Sequence, residues 1–279
     1  MDPAFANDGY AVFRNTLSAR MLDDLRRYAD ARLAAEETEH FDRFRFHGSM
    51  LAIDATRNEV ARRLILWSHT LEMLGRLGLG DVRWLSGYII SKPRKSPSLW
   101  WHQDWWAWDE PVSFSPRAAQ IFVMYYLRGV DARNGALRVI PGSHRRQHPL
   151  HTQLPEAHSA ELTCRGAGEE AHATQPDEVT VAVSAGDAVV GDCRLLHATH
   201  ANGSDQRRTC LTLWYLPDFE KLPDSVRAYV VQHPSLPPAG WWRDDAPSVP
   251  PDLRRMLPTY DGDAAPATYN RQPPVAWPA

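Results

Sequence analysis

Apolar positions recur at helical spacing near the start of the chain. Leu22, Leu25, Ala29 and Leu33 fall three or four residues apart, on one face of a helix that Ser18 is placed to cap. A second helical stretch opens at Asn58, also a capping residue. It runs through Leu64 and Leu71 to Leu74, where the glycines at 75, 78 and 80 end it. Residues 1–80 are expected to form a helical N-terminal part.

From residue 82 the pattern changes. Val82–Ser91 (VRWLSGYIIS) is dense in β-branched and aromatic residues and stops at Lys92-Pro93. Further strand candidates are Leu99–Asp104, Gln120–Leu127, Ala136–Ile140, Val179–Val183, Ala188–Asp192 and Thr209–Leu216. Asn134-Gly135, Pro141-Gly142, Gly186-Asp187 and Asn202-Gly203 supply turn signals between them. Short strands divided in this way predict a sandwich or barrel over residues 82–217, not a parallel sheet. The polar segment 145–178 is too long for an ordinary connection and is expected to be a mobile lid or binding loop. Beyond Asp218 the chain is proline-rich (Pro237-Pro238, Pro250-Pro251, Pro273-Pro274). Residues 218–279 are expected to wrap a single domain spanning 1–279.

Composition narrows the function classes. Hydrophobic residues make up 43% of the 279, enough for a sizeable core. Lys plus Arg number 31 against 34 Asp plus Glu, a net charge of −3 that gives no electrostatic reason to expect nucleic acid or an anionic membrane as partner. No apolar run approaches the roughly 18 residues of a spanning helix, and no basic start precedes an apolar run as in a secretory signal. The odd set Cys164, Cys193 and Cys210 has no CxxC spacing, so the cysteines read as buried hydrophobes in a cytoplasmic protein. Twenty-two prolines imply many loops, and 11 tryptophans imply large packed or ligand-facing surfaces.

The sharpest chemical signal is Trp100-Trp101-His102-Gln103-Asp104. Residues two apart on a strand share a face, so His102 and Asp104 can present an imidazole and a carboxylate to one ion. His197, after the turn and strand of Gly186–Asp192, is the best third ligand. Two imidazoles and a carboxylate on one face of an octahedral metal leave three adjacent positions, the arrangement of iron(II) oxygenases. Two of these suit a chelating 2-oxo acid and the third suits dioxygen (O2). An HxD triplet by itself arises by chance in a chain with 12 histidines, so the wider constellation carries the reading. If Asn202-Gly203 is a hairpin turn, His197 lies opposite Arg208. A buried guanidinium there would call for an anion such as the far carboxylate of a dicarboxylate cosubstrate. Arg207 would point the other way, and a one-residue slip would exchange the two.

With these residues the chain resembles the phytanoyl-CoA dioxygenase-like (PhyH) family of Fe(II)/2-oxoglutarate oxygenases. The matching stretches are Asp8-Gly9-Tyr10-Ala11-Val12, His102-Gln103-Asp104, and Asn134-Gly135-Ala136-Leu137 leading to Pro141-Gly142-Ser143-His144. Gly186-Asp187 follows, and then His197 with Arg208 eleven residues later, all in order over about residues 5 to 217. The resemblance implies a mainly β fold with flanking helices, its core a double-stranded β-helix (jelly-roll, cupin-like). It implies Fe(II) held by His102, Asp104 and His197, 2-oxoglutarate paired with Arg208, and O2 as co-reactant. Thr199, two after His197, stands where the family often has a small hydroxyl residue. Tyr88 and Gln120 lie on strands expected to line the barrel and are weaker candidates for the cosubstrate site, with packing as the alternative. Asp104 favours hydroxylation, because halogenating relatives replace this carboxylate by a small residue.

Trp105, Trp106 and Trp108 either shape a substrate pocket beside the metal or belong to the core. His144 is structural by resemblance; His148, His151, His158 and His172 are expected to be solvated in the lid; and His200 falls on the face opposite His197. Nothing suggests a coenzyme A site, and because bacterial and fungal relatives often tailor small natural products, the resemblance implies a small-molecule substrate, a natural product or other secondary metabolite. Desaturation, epimerisation or ring formation on the same scaffold is the alternative, and a non-catalytic jelly-roll binding protein is another.

Overall fold

A computed structural model describes residues 2–154, 156, 159, 168–232 and 249–277. Cys164, His158, Pro237 and Pro238 lie outside the described residues. Helix α1 (Pro3–Asp8) precedes strand β1 (Tyr10–Phe13), and α2 (Ala19–Ala34) follows. The Ser18 hydroxyl accepts a hydrogen bond from Met21 N at 3.2 Å, so the expected cap is in place. The buried face of α2 is Met21, Leu25, Tyr28 and Ala29; Leu25 and Ala29 belong to the expected stripe, and Leu22 and Leu33 pack at its edge, partly buried.

After α3 (Thr38–Arg43) and the short β2 (Leu51–Ala52), the stretch from Asn58 forms two helices, α4 (Glu59–Ile65) and α5 (Ser68–Arg76), not one. Trp67 breaks it. The Trp67 indole N–H donates to Thr16 O at 2.8 Å, and its extended backbone opens α5.

The remaining strands are β3 (Val82–Lys92), β4 (Leu99–His102), β5 (Ile121–Tyr126), β6 (Leu137–Val139), β7 (Val179–Val181), β8 (Ala188–Asp192), β9 (His197–Thr199) and β10 (Arg208–Pro217). They build two antiparallel sheets, a major one ordered β1-β8-β5-β10-β3-β2 and a minor one ordered β4-β9-β6-β7. This is the mainly β jelly-roll the sequence predicts. Alternation along β5 sets its layers. Tyr125 turns toward the helices, its hydroxyl 2.8 Å from Thr70 Oγ1 of α5, whereas Phe122 turns toward the minor sheet, 5.1 Å from the His197 ring.

One expected pairing is overturned. β9 pairs with β4 and β6 in the minor sheet, and β10 pairs with β3 and β5 in the major sheet, so His197 and Arg208 are not hairpin neighbours. The Asn202 side chain prevents the tight turn. Fully buried, it donates to Lys92 O, Pro93 O and Gln206 O and anchors a loop that crosses between sheets.

The C-terminal part packs along the core. Asn270 N donates to Trp106 O, and Trp277 lies 5.4 Å from Trp108. Segment 145–178 is pinned where it is described: Leu150, His151 and Ala171 are buried, and Trp101 Nε1 donates to Ala173 O. His151 and His172 are therefore not solvated; His172 is bonded to Ser98 and lies beside Trp100. No described helix is long and apolar enough to cross a membrane.

Candidate active site

His102 and His197 are direct partners in the pairing of β4 with β9, which brings their rings to 4.1 Å. Each ring is fixed from behind. His102 Nδ1 lies 2.9 Å from Trp100 O and His197 Nδ1 lies 3.0 Å from Leu195 O, which places the ring proton on Nδ1 and the lone pair on Nε2. Asp104 stands just past the end of β4. The backbone N–H groups of Asp104 and Trp105 both donate to Cys193 O, and this bond turns the carboxylate inward. Asp104 Oδ2 reaches 3.9 Å from His197 Nε2 and accepts the Trp214 indole N–H at 2.9 Å. One ligand atom from each of His102, Asp104 and His197 lies within 4.8 Å of the others, and all three residues are buried. Two neutral imidazole nitrogens and a carboxylate at this separation fit one divalent ion.

The turn between β8 and β9 organises two of these ligands. Its carbonyls hold the Asp104 backbone (through Cys193) and the His197 ring (through Leu195). A buried ion pair, Arg194 Nη2 to Asp192 Oδ2 at 2.6 Å, braces it, and Arg194 also donates to Ser113 O and Ser115 O. Burial opposes ionisation of Asp192, but the Arg194 charge and hydrogen bonds prevail and hold its carboxyl below the usual range.

A cavity opens beside the triad, with about 520 Å³ of empty space that includes open solvent. Thr199, Arg208 and Cys210 line its deep side, Lys92 stands with them, and Phe46, Met50, Ile90, Leu99, Met124 and Trp214 form apolar walls. Arg208 is buried, yet its Nε has no hydrogen-bond partner and no carboxylate among the described residues pairs with it. Arg207 turns away and donates to Ser91 O. Thus Arg208 shares a chamber with His197 across two facing sheets, although the hairpin argument for it fails.

Three other expectations are corrected. Trp105 and Trp106 do not line this cavity; they are buried in the core, with indole N–H groups bonded to Ser113 Oγ and Gln120 Oε1. Gln120 shares the inward face of β5 with Phe122 and Met124, but at the far end, where Trp106 engages it. Tyr88 shares the β3 face of Ile90 and Lys92 but lies farther along the strand, 5.8 Å from the Trp214 ring, and does not line the cavity. His144 is buried in a structural position, its Nε2 3.2 Å from Ala6 O. Trp214, Lys92 and the segment carrying Phe46 and Met50 went unmarked in the sequence. Trp214 and Lys92 share the face parity of Arg208 along β10 and β3, a signal that needs the register; the Phe46 segment has no periodicity to mark it.

Two facing antiparallel sheets with a buried His–Asp–His cluster between them define a non-haem oxygenase of jelly-roll fold. The chain belongs to the phytanoyl-CoA dioxygenase (PhyH) family, whose model matches residues 5–210. Membership makes it an oxygenase of the iron- and 2-oxoglutarate-dependent type. Among solved structures, the epimerase SnoN from nogalamycin biosynthesis, in complex with Fe3+, alpha ketoglutarate and nogalamycin RO, aligns over 97% of this chain and 95% of its own. The identity is 22% and the TM-score 0.59. The carbocyclase SnoK of the same pathway covers 77% of this chain and 81% of its own at 22% identity, TM-score 0.58. Both likenesses concern the fold. EctD from S. alaskensis, with 2-oxoglutarate and 5-hydroxyectoine, is 25% identical over 79% of this chain and 76% of its own, TM-score 0.56. A search of curated proteins gave no match.

Proposed function

We propose that this chain is an Fe(II)/2-oxoglutarate-dependent dioxygenase that hydroxylates a small molecule, a natural product or other secondary metabolite. The carrying observation is the convergence of His102, Asp104 and His197 to within 4.8 Å beside a buried arginine with no carboxylate partner among the described residues. His102, Asp104 and His197 would hold the iron, and Arg208 would pair with the far carboxylate of 2-oxoglutarate. When bound, iron(II) with 2-oxoglutarate and O2 supplies an oxidant strong enough for an unactivated C–H bond, with succinate and carbon dioxide released.

The protein's residues bind, orient and exclude water. Trp100 O and Leu195 O keep both imidazoles in one tautomer, with each Nε2 lone pair turned to the ligand position. The Thr199 hydroxyl lines the chamber and accepts from Leu99 N at 3.4 Å, which leaves its own proton for an acceptor in the cavity. Phe46, Met50, Met124 and Trp214 give the substrate an apolar seat.

His102→Ala or Asp104→Ala is expected to abolish substrate-dependent succinate formation, and full turnover in either variant sinks the ligand assignment. Arg208→Ala is expected to raise the 2-oxoglutarate requirement strongly. Anaerobic Fe(II) plus 2-oxoglutarate is expected to give a visible charge-transfer band; its absence in reconstituted protein favours a non-catalytic binding module. An epimerase and a carbocyclase share the fold, so the product must be weighed. Hydroxylation adds one oxygen atom, epimerisation leaves the composition unchanged, and desaturation or ring closure removes two hydrogens.

A further inference from the structure

Lys92 and Arg208 stand directly opposite each other where β3 pairs with β10. Side chains so placed start about 5 Å apart, and like charges there repel. Both are buried, at 1% and 4% exposure. Elsewhere the protein pairs its buried arginines: Arg138 with Glu178, and Arg194 with Asp192. Lys92 and Arg208 have no carboxylate partner among the described residues.

Their hydrogen bonds leave capacity for an anion. Lys92 Nζ donates to Phe46 O and Pro97 O, both at 2.6 Å, and an ammonium carries a third N–H. Arg208 donates one N–H to Cys210 Sγ at 3.1 Å, while its Nε has no hydrogen-bond partner among the described residues. The two side chains converge over Gly135, where an added Cβ would lie 3.3 Å from Arg208 Nε and 3.5 Å from Lys92 Cδ. Burial, and then the Arg208 charge, push the Lys92 ammonium well below the usual lysine range; an anion between the pair would offset that repulsion.

We propose that Lys92 is a second anchor for the far carboxylate of 2-oxoglutarate, so that two opposed cations on neighbouring strands read the cosubstrate's tail. This rests on the reading of Arg208 given above. Because the same ammonium holds Phe46 O, cosubstrate capture and one wall of the cavity meet on one nitrogen.

The test is anaerobic calorimetric titration of the Fe(II)-loaded protein with 2-oxoglutarate and with 2-oxovalerate, which keeps the oxo-acid end but lacks the far carboxylate. Lys92→Met is expected to weaken 2-oxoglutarate about tenfold and leave 2-oxovalerate unchanged, with Lys92→Arg recovering most of the loss. Equal weakening of both ligands, or of neither, overturns the proposal and leaves Lys92 as a tie between loops. Arg208→Met separates the two readings. Discrimination lost there but kept in Lys92→Met defeats the Lys92 anchor alone, whereas discrimination kept in both variants defeats the reading of Arg208 as well. Should Lys92→Met fail to fold, Lys92→Gln, which keeps a donor toward Phe46 O without the charge, is read in the same way.

Discussion

Trp214 donates its indole N–H to Oδ2 of Asp104 at 2.9 Å, and that oxygen stands 3.9 Å from His197 Nε2. The ring also lines the cavity. One side chain thus borders the substrate's place and fixes the carboxylate of the triad. It does so from β10, which shifts register between Trp214 and Tyr215, so the backbone is bent where the indole must turn toward the minor sheet.

Contacts of this kind behind a metal ligand are commonly worth about 10- to 100-fold in metal affinity. Trp214→Phe keeps an aromatic wall and removes the donor. It is expected to weaken Fe(II) or Co(II) binding by about that factor, read by equilibrium titration of the metal, with little change in thermal midpoint. Unaltered metal affinity would mean that Asp104 needs no second bond to hold its orientation.

The Arg194–Asp192 pair leads to a stability prediction. Breaking a buried pair leaves one charge stranded and costs about 3–5 kcal/mol, so Arg194→Met should lower urea stability by roughly that amount. Asp192 has its folded value depressed, so the pair's contribution is present above the unfolded carboxylate range. It is lost as pH falls through the folded value. The double variant Asp192→Leu/Arg194→Met should recover much of the loss. A single variant as stable as the parent would show that the turn before His197 is held by other bonds.

The fold was legible because alternation and turn chemistry are local. Val82–Lys92 and Ala188–Asp192 emerge almost as the residues predict, and His102 and Asp104 were marked by their spacing. Even so, β4 ends at His102, and Asp104 points inward because Cys193 O catches its backbone N–H, a contact between distant segments. Arg208 was reached through a hairpin that does not exist. Asn202-Gly203 has the residues of a tight turn, but the Asn202 amide is spent on three carbonyls while the chain changes sheets. The tryptophans beside Asp104 misled for a related reason. Ser113 and Gln120 hold their indoles in the core, and the indole at the cavity belongs to Trp214, whose face only the register reveals.

Gly135 is expected to resist substitution on two counts. Its φ of +88° is a conformation that side chains rarely adopt, and strain of this kind costs about 1–3 kcal/mol. An added Cβ would also crowd Arg208 Nε at 3.3 Å. Gly135→Ala should therefore lower the thermal midpoint and raise the 2-oxoglutarate concentration needed for half saturation. A loss of stability with unchanged cosubstrate binding would confine Gly135 to a role in the turn.

His151 gives the chain an acid-sensitive point outside the triad. It is buried beside Trp277, with ring centroids 5.0 Å apart, and its Nδ1 accepts from His148 N at 3.0 Å. Burial, and then the neighbouring His148 charge, lower its pKa to about 4. A base with a depressed folded value is neutral in the native state, whereas the unfolded chain takes up a proton near pH 6.5. Stability is therefore full above that pH and falls as acid is added, by roughly 2–3 kcal/mol at pH 4.5 from this residue alone. His151→Asn, which keeps an acceptor for His148 N, should flatten the urea-stability profile between pH 6.5 and 4.5 by about that amount. A variant whose profile runs parallel to the parent's would place the acid sensitivity elsewhere.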